Sequence, residues 1–361
     1  NNEFAGDANN SIFIYSGRTS KAVEGYQTGR RIQFDNPLYS EIKKEFSDEI
    51  EFITGRVYKN VTASFGNEKS NYSVRAVNPD HQFIEKSEIK DGRFINPLDI
   101  KNNTKNIVIG NLVVEDLFGE IDPIGKYLDL NKIKFKIIGV FVERTEGSDS
   151  NEARVIYMPI STAQKIYGNN DYIDQINLTY NPSLSEEEAI AFGNKIVDKI
   201  KEVFFVADND QSAVRARNRA RENQEVTQFN AVLAILVLII GMGTLVAGVV
   251  GISNIMIFIV KERTKEIGIR KALGAPPSSI KLIIVLESVF VTAISGYVGL
   301  LLGGVVLNSF DLEDYWITDP GVSTSLVIGA TFTLILAGLI AAYVPANRAA
   351  SIKPIVALRD E

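Results

Sequence analysis

The sequence predicts a two-part protein: an α+β extracytoplasmic domain of two lobes, followed by an all-α transmembrane domain. Three observations carry this. Charged residues are frequent up to Glu225 and then nearly vanish. The polar part contains many short segments in which apolar and polar residues alternate, with helical signals between them. The remainder contains three apolar runs, each at least as long as the ~20 residues needed to cross a hydrocarbon layer. The averages hide this division, because 23 % charged residues and a mean hydropathy of +0.05 resemble those of a soluble chain.

In the polar part, strands are expected at Ser11–Tyr15, Glu49–Ile53, Arg56–Ser64, Tyr72–Ala76, Asn106–Ile109, Lys132–Val142, Arg154–Met158 and Ile173–Tyr180. Asn36-Pro37 signals a helix start, with Asn36 as cap and a helix to about Phe46. Ser185 and Glu188 form a capping box ahead of Ile196, Ile200 and Val203 at helical spacing. Strand–helix–strand units thus stand at both ends (11–53 and 173–207). They are expected to pair as one lobe of a domain spanning 1–210, with 57–170 inserted as a more β-rich lobe. A polar stalk helix is expected over 211–228.

The first apolar run, Val226–Val260, contains no charge, and Leu282–Phe310 contains only Glu287. Gly321–Asn347 is again uncharged. These runs place spans at about 229–258, 280–308 and 323–345 within a membrane domain over 229–361. Lys261, Arg263, Lys265, Arg270, Lys271 and Lys281 outnumber Glu262 and Glu266 in the first loop, whereas the second has Asp311, Glu313, Asp314 and Asp319. Arg348, Lys353 and Arg359 follow the third span. The positive-inside rule makes the first loop and the C-terminus cytoplasmic. Arg215, Arg217, Arg219 and Arg221 oppose this, but long translocated domains weigh little in the rule. Residues 1–225 then lie outside, which calls for a first span before Asn1 and four spans in all. Tyr315 and Trp316 suit an outer aromatic belt.

Catalytic signals are thin. With no cysteine, disulfides, thiolate metal sites, iron–sulfur clusters and cysteine nucleophiles are excluded, and the one histidine (His81) nearly excludes a Ser-His-Asp triad and any multi-histidine metal site. No phosphate-binding glycine loop, GxSxG or HExxH string occurs. His81, in Pro79-Asp80-His81-Gln82, is expected in a surface turn, and Asp208-Asn209-Asp210 in a loop or helix cap. No catalytic residue and no metal site is expected. The acidic balance, net −6, argues against nucleic acid as partner.

The informative segment is Lys261–Pro277. Residues 262–274 form an amphipathic helix that Gly274 ends in a left-handed cap, and the prolines that follow prevent its continuation. Ser278 or Ser279 is then expected to cap the next span. Mixed charge with Ile267, Ile269 and Leu273 suits docking on a cytosolic protein, or alternatively gripping anionic lipid. Glu287, the intramembrane carboxylate, is open to pairing with Lys281 or a base of the loop, or to protonation. Gly299 and Gly303 form a GxxxG face, and Gly243, Gly248 and Gly251 line the first span.

The string Glu262-Arg263-Thr264-x-Glu266-Ile267-Gly268-Ile269-Arg270-x-Ala272-Leu273-Gly274-Ala275 resembles the loop after the second transmembrane helix of the MacB/FtsX-type ABC transporter permeases. Gly92–Ile95, Asn106–Gly110, Leu117–Gly119 and Pro123–Lys126 resemble their extracytoplasmic core domain. Leu286–Val289 with Gly296 and Gly299 resembles their third helix, and Tyr343–Ala350 with Pro354–Arg359 their C-terminal ending. The resemblance implies a non-enzymatic permease subunit of the inner membrane, and a homodimer. An ABC ATPase, fused or separate, would bind ATP and Mg and pull on the coupling helix. The spans would transmit the movement to the outer domain and so drive efflux of a periplasmic substrate, with a periplasmic adaptor and outer-membrane duct as further partners. Glu262, Arg263, Thr264, Lys265, Glu266, Arg270 and Lys271 would be coupling residues, with Gly268 and Gly274 allowing close approach and termination. A lipoprotein-releasing (Lol-type) permease and an FtsX-like regulator of a cell-wall hydrolase are the alternatives, although the outer domain of the latter is much smaller.

Overall fold

The computed structural model describes residues 8–85, 87–142, 152–168, 170–309 and 324–353. The chain divides into two compact units, Asn1–Gln228 and Phe229–Glu361. The expected acidic loop at 311–322 with Tyr315 and Trp316, and the ending Pro354–Arg359, lie outside the described residues.

The strands of the first unit are β1 (Ser11–Ser16), β2 (Phe34–Asp35), β3 (Ile50–Phe65), β4 (Glu68–Val77), β5 (Glu88–Gly92), β6 (Asn106–Gly110), β7 (Tyr127–Leu130), β8 (Ile133–Val142), β9 (Val155–Pro159), β10 (Tyr172–Ile173), β11 (Gln175–Tyr180) and β12 (Val214–Asn218). Ten of them form one sheet in the order β12-β1-β11-β3-β4-β9-β6-β8-β5, with β7 pairing both β3 and β8. The pairing from β3 through β4, β9, β6, β8 and β7 therefore returns to β3, which leaves few free edges. β3 runs unbroken through residue 57, so the strands on either side of that point share one sheet. The two strands expected at 49–53 and 56–64 are a single strand, in which Gly55 lies under Ile160 and Ile173 with little space for a larger side chain.

Helices α1 (Asn36–Glu45) and α6 (Glu186–Val203) contribute Leu38, Ile42, Phe192, Ile196 and Ile200 to the same core as Ile12, Ile14, Ile176 and Leu178. Asp35, one residue earlier than expected, caps α1 by accepting from the Leu38 amide at 2.9 Å. The Ser185–Glu188 capping box is present. Val203, expected on the buried stripe, ends α6 and is exposed.

Two expectations are corrected. The stalk helix does not start at Gln211: Val214–Asn218 is a strand paired antiparallel with β1 (Ile12 opposite Asn218), and the helix begins at Arg219. Val214 and Asn218 are buried while Arg215 and Arg217 are exposed, a two-residue alternation that suits an edge strand. His81 is fully buried, at the start of helix α2 (His81–Ile84). Its Nε2 lies 3.1 Å from Glu85, which also takes a contact from Arg75 at 3.4 Å, a hydrogen bond from the Tyr157 hydroxyl at 3.3 Å and an ion pair from the buried Arg56. Asp210 is buried in its loop, where it accepts from the amides of Ser20, Lys21 and Ser212 and from the Ser20 hydroxyl.

The Gly92–Ile95 stretch proves structural. Gly92 has φ +80°, and a side chain there would meet the Ile138 carbonyl at 2.2 Å. Arg93 reaches Asp99 at 2.6 Å, while Phe94 and Ile95 pack with Val77, Val108 and Tyr157. Asp99 also takes hydrogen bonds from Thr104, Asn106 and the Asn96 amide, closing a capping box on helix α3 (Pro97–Lys101). Burial alone would raise its pKa, but these bonds and Arg93 hold the carboxyl at about 2. Asp99→Ala is expected to destabilise this unit by about 2–3 kcal/mol in chemical denaturation, the scale of lost hydrogen bonds to a buried charge. Because the folded pKa is depressed, this contribution is present above the unfolded pKa near 3.8 and fades as pH falls toward about 2.

Candidate coupling site

The second unit is helical. The described helices long and apolar enough to cross a membrane are α7 (Arg219–Glu262), α9 (Pro277–Ser309) and α10 (Thr324–Ser351). Between α7 and α9 lies α8, Thr264–Ala272. The helical path breaks at Arg263, where the Thr264 hydroxyl donates to the Lys261 carbonyl at 2.7 Å. α8 ends as its sequence demands. Gly274 has φ +99°, its amide donates to Lys271 at 3.1 Å, and the Ala275 amide donates to Arg270 at 3.0 Å. This is a Schellman closure with glycine in the left-handed position. Neither Ser278 nor Ser279 caps α9. Pro277 is its first residue, since a proline loses nothing where an amide would have no helical partner.

α8 has two faces. Ile267 and Gly268 are buried, Ile267 among Met256, Val260, Ile280, Ile284, Ala346 and Ala349, so residues of α7, α9 and α10 share this small core. Glycine at 268 keeps this buried face free of side-chain bulk. On the other face, Lys265, Glu266, Ile269, Arg270 and Leu273 are exposed. Leu273 is 84 % exposed and Ile269 44 %. The spacing 265, 269, 273 puts one basic and two apolar side chains in a single row. Arg270 pairs with Glu266 at 2.7 Å on this face, and Glu262 at the end of α7 is exposed as well. Ile267, grouped in the sequence with Ile269 and Leu273, thus belongs to the core and not to the open row.

Two expected coupling residues have partners inside the unit. Arg263 lies 3.2 Å from Glu287 on α9, so this carboxylate is paired with a base of the loop and not with Lys281. Lys271 donates from Nζ to the carbonyls of Ala350 and Ile352 at 2.7 and 2.6 Å. No sequence signal connects positions 79 and 81 apart, so this contact was invisible beforehand.

Close packing of α9 on α10 is made at Gly296 and Gly338, not at the expected GxxxG pair. A Cβ at Gly338 would stand 3.1 Å from the Val289 Cα, and one at Gly296 would meet Leu334 at 2.3 Å. The Ser288 hydroxyl donates to the Gly338 carbonyl at 3.1 Å. Among the described residues, apart from the neighbouring backbone of the same helix, no atom lies within 4 Å of a Cβ built at Gly299, Gly303, Gly243, Gly248 or Gly251.

Two family models cover most of the chain. The MacB-like periplasmic core domain matches residues 1–191, and the FtsX-like permease C-terminal model matches 231–354, the segment that contains α8. The chain belongs to the MacB/FtsX-type ABC transporter permeases. A relative in that family, the macrolide export ATP-binding/permease protein MacB of Bdellovibrio bacteriovorus, is 29 % identical over 98 % of this chain and 53 % of its own length. MacB of Chlorobaculum tepidum is 31 % identical over 80 % of this chain and 44 % of its own. An uncharacterized ABC transporter permease of Methanocaldococcus jannaschii is 30 % identical over 76 % of this chain and 66 % of its own. The chain spans about half the length of the MacB relatives that it matches. Among solved structures, the periplasmic region of MacB from Actinobacillus actinomycetemcomitans aligns with a TM-score of 0.50 at 16 % identity. That alignment covers 62 % of this chain and 96 % of the other, and shows a shared fold.

Proposed function

We propose that the chain is the permease part of a MacB-like ABC transporter of the inner membrane. A cytoplasmic ABC ATPase docks on α8 and, through ATP binding and hydrolysis, drives a conformational change of the extracytoplasmic domain that exports a periplasmic substrate. The observation that carries this is the divided surface of α8. A short helix that buries Ile267 among the ends of three long apolar helices presents Leu273 and Ile269 to solvent in a charged frame. Isolated exposed leucines are common, but a rigidly capped row flanked by both charge signs is suited to a protein partner. A lipid grip would be expected to present basic groups without Glu262 and Glu266 beside them. Two copies would pair in the membrane, where the open glycine faces of α7 and α9 suit close helix contact. Nucleotide and magnesium belong to the ATPase in this reading, and the periplasmic substrate would pass outward without crossing the membrane-embedded part.

The test is charge reversal on the open face. Lys265→Glu combined with Arg270→Glu is expected to lower ATP hydrolysis by the reconstituted permease–ATPase complex about tenfold, on the scale of mismatched charge at an interface. Unchanged hydrolysis together with unchanged complex formation would refute the docking assignment. Arg263 is unsuitable for this test, because reversing it also breaks its pair with Glu287.

A further inference from the structure

Lys271 stands in the permease's coupling segment, yet its ammonium group is committed inward. It is half-buried, and Nζ donates to the Ala350 carbonyl at 2.7 Å and to the Ile352 carbonyl at 2.6 Å. Those acceptors are the ones that α10 cannot satisfy for itself. A helix leaves its last four carbonyls without intrahelical donors. The amide four residues after Ala350 would belong to Pro354, which has no N–H. Ile352 lies past the end of α10 at Ser351. An ammonium group has three donors, carries the charge favoured at a helix C-terminus, and can serve both oxygens at once. Beside this contact Ile267 packs with Ala346 and Ala349 of α10, so a polar and an apolar contact join the same two helices.

We propose that Lys271 is a transmission residue, not an ATPase contact: it ties the coupling helix α8 to the C-terminal end of α10, so that displacement of α8 moves α10 with it. This rests on α8 being the dock for an ATPase. Arg263, bonded to Glu287, ties the opposite end of the same helix to α9. Lys265, Ile269 and Leu273 would then receive the force and Lys271 would pass it on.

The chain contains no cysteine, so introduced labels report single sites. Ala272→Cys on α8 and Tyr343→Cys on α10, both exposed, give a spin-label pair in the full chain assembled with its ATPase. Labelled copies diluted with unlabelled ones keep the distance within one chain. With Lys271 present, the distance distribution is expected to be narrow and equal in the ADP and the vanadate-trapped states. With Lys271→Met it is expected to widen and to differ between the two states, while the ATPase still co-purifies. Lys271→Gln, which keeps a donor, and Lys271→Arg are expected to narrow it again, which a loss of mere bulk would not produce. If Lys271→Met does not accumulate, Lys271→Ala, which likewise removes the donor, is compared with the parent and decides. Distributions that stay narrow and state-independent in every variant would overturn the transmission role. Loss of the ATPase from Lys271→Met, with narrow distributions, would return Lys271 to the docking surface. Retention of the ATPase by Leu273→Asp would instead strike the docking reading, leaving the label distances to judge the tie by themselves.

Discussion

Glu85→Gln is expected to destabilise the first unit by about 3–5 kcal/mol, the cost of breaking a buried ion pair by removing one partner. Glu85 is a carboxylate shared by Arg56, Arg75 and His81, with the Tyr157 hydroxyl as a further donor. Arg56 is only 4 % exposed and His81 0 %. A neutral amide would leave the Arg56 charge uncompensated in a site that water barely reaches. Tyr157→Phe removes one neutral donor and should cost about 1 kcal/mol. Denaturation of the detergent-solubilised chain, followed on the β-rich unit, measures both. An equal effect of the two changes would show that the carboxylate does not organise the cluster.

The same cluster makes stability depend on pH. Burial lowers the pKa of His81, partly offset by Glu85. Burial would raise that of Glu85, but Arg56, His81 and Arg75 hold it well below the ordinary 4.5. Both folded values are depressed, so both contributions are present above the unfolded pKa and are lost as pH falls. Stability is expected to hold above the unfolded histidine value of 6.5, to decline below it, and to fall further below 4.5. In Glu85→Gln the lower step should shrink to the part below 3.8 that Asp99 contributes.

Local chemistry made much of this architecture legible. Runs with no charge or a single charge locate α7, α9 and α10, because nothing else in a sequence so directly reports a helix that must lie in hydrocarbon. Ser185 with Glu188, and Gly274 followed by two prolines, mark helix ends through backbone bonds made within a few residues. What stayed hidden depends on distant partners. His81 looked like a turn residue because Pro79 and Asp80 precede it, whereas its burial depends on Arg56 and Glu85. Val214–Asn218 followed a polar stretch and led into a helix, and only pairing with β1 makes it a strand. Lys271 carried every mark of a surface base. Its role comes from two carbonyls at the far end of another helix. The coupling string was legible as a motif. Which of its residues face outward was not, since Ile267 and Ile269 are indistinguishable by type.

Leu273→Asp is the second large effect. Leu273, 84 % exposed, is the most exposed large apolar side chain among those described and sits beside a closed helix end that holds it in place. Covering such a side chain centrally in an interface contributes on the order of 2 kcal/mol or more, about thirtyfold in affinity. Folding should be untouched, because Leu273 lies outside the small core around Ile267.

The most direct measurement is a titration of the ATPase onto the permease in nanodiscs, comparing the parent chain with Leu273→Asp and with Ile269→Asp. If the open row of α8 is the dock, affinity falls about thirtyfold for Leu273→Asp and measurably for Ile269→Asp, with the thermal stability of the permease unchanged. Equal Kd for all three chains would contradict it.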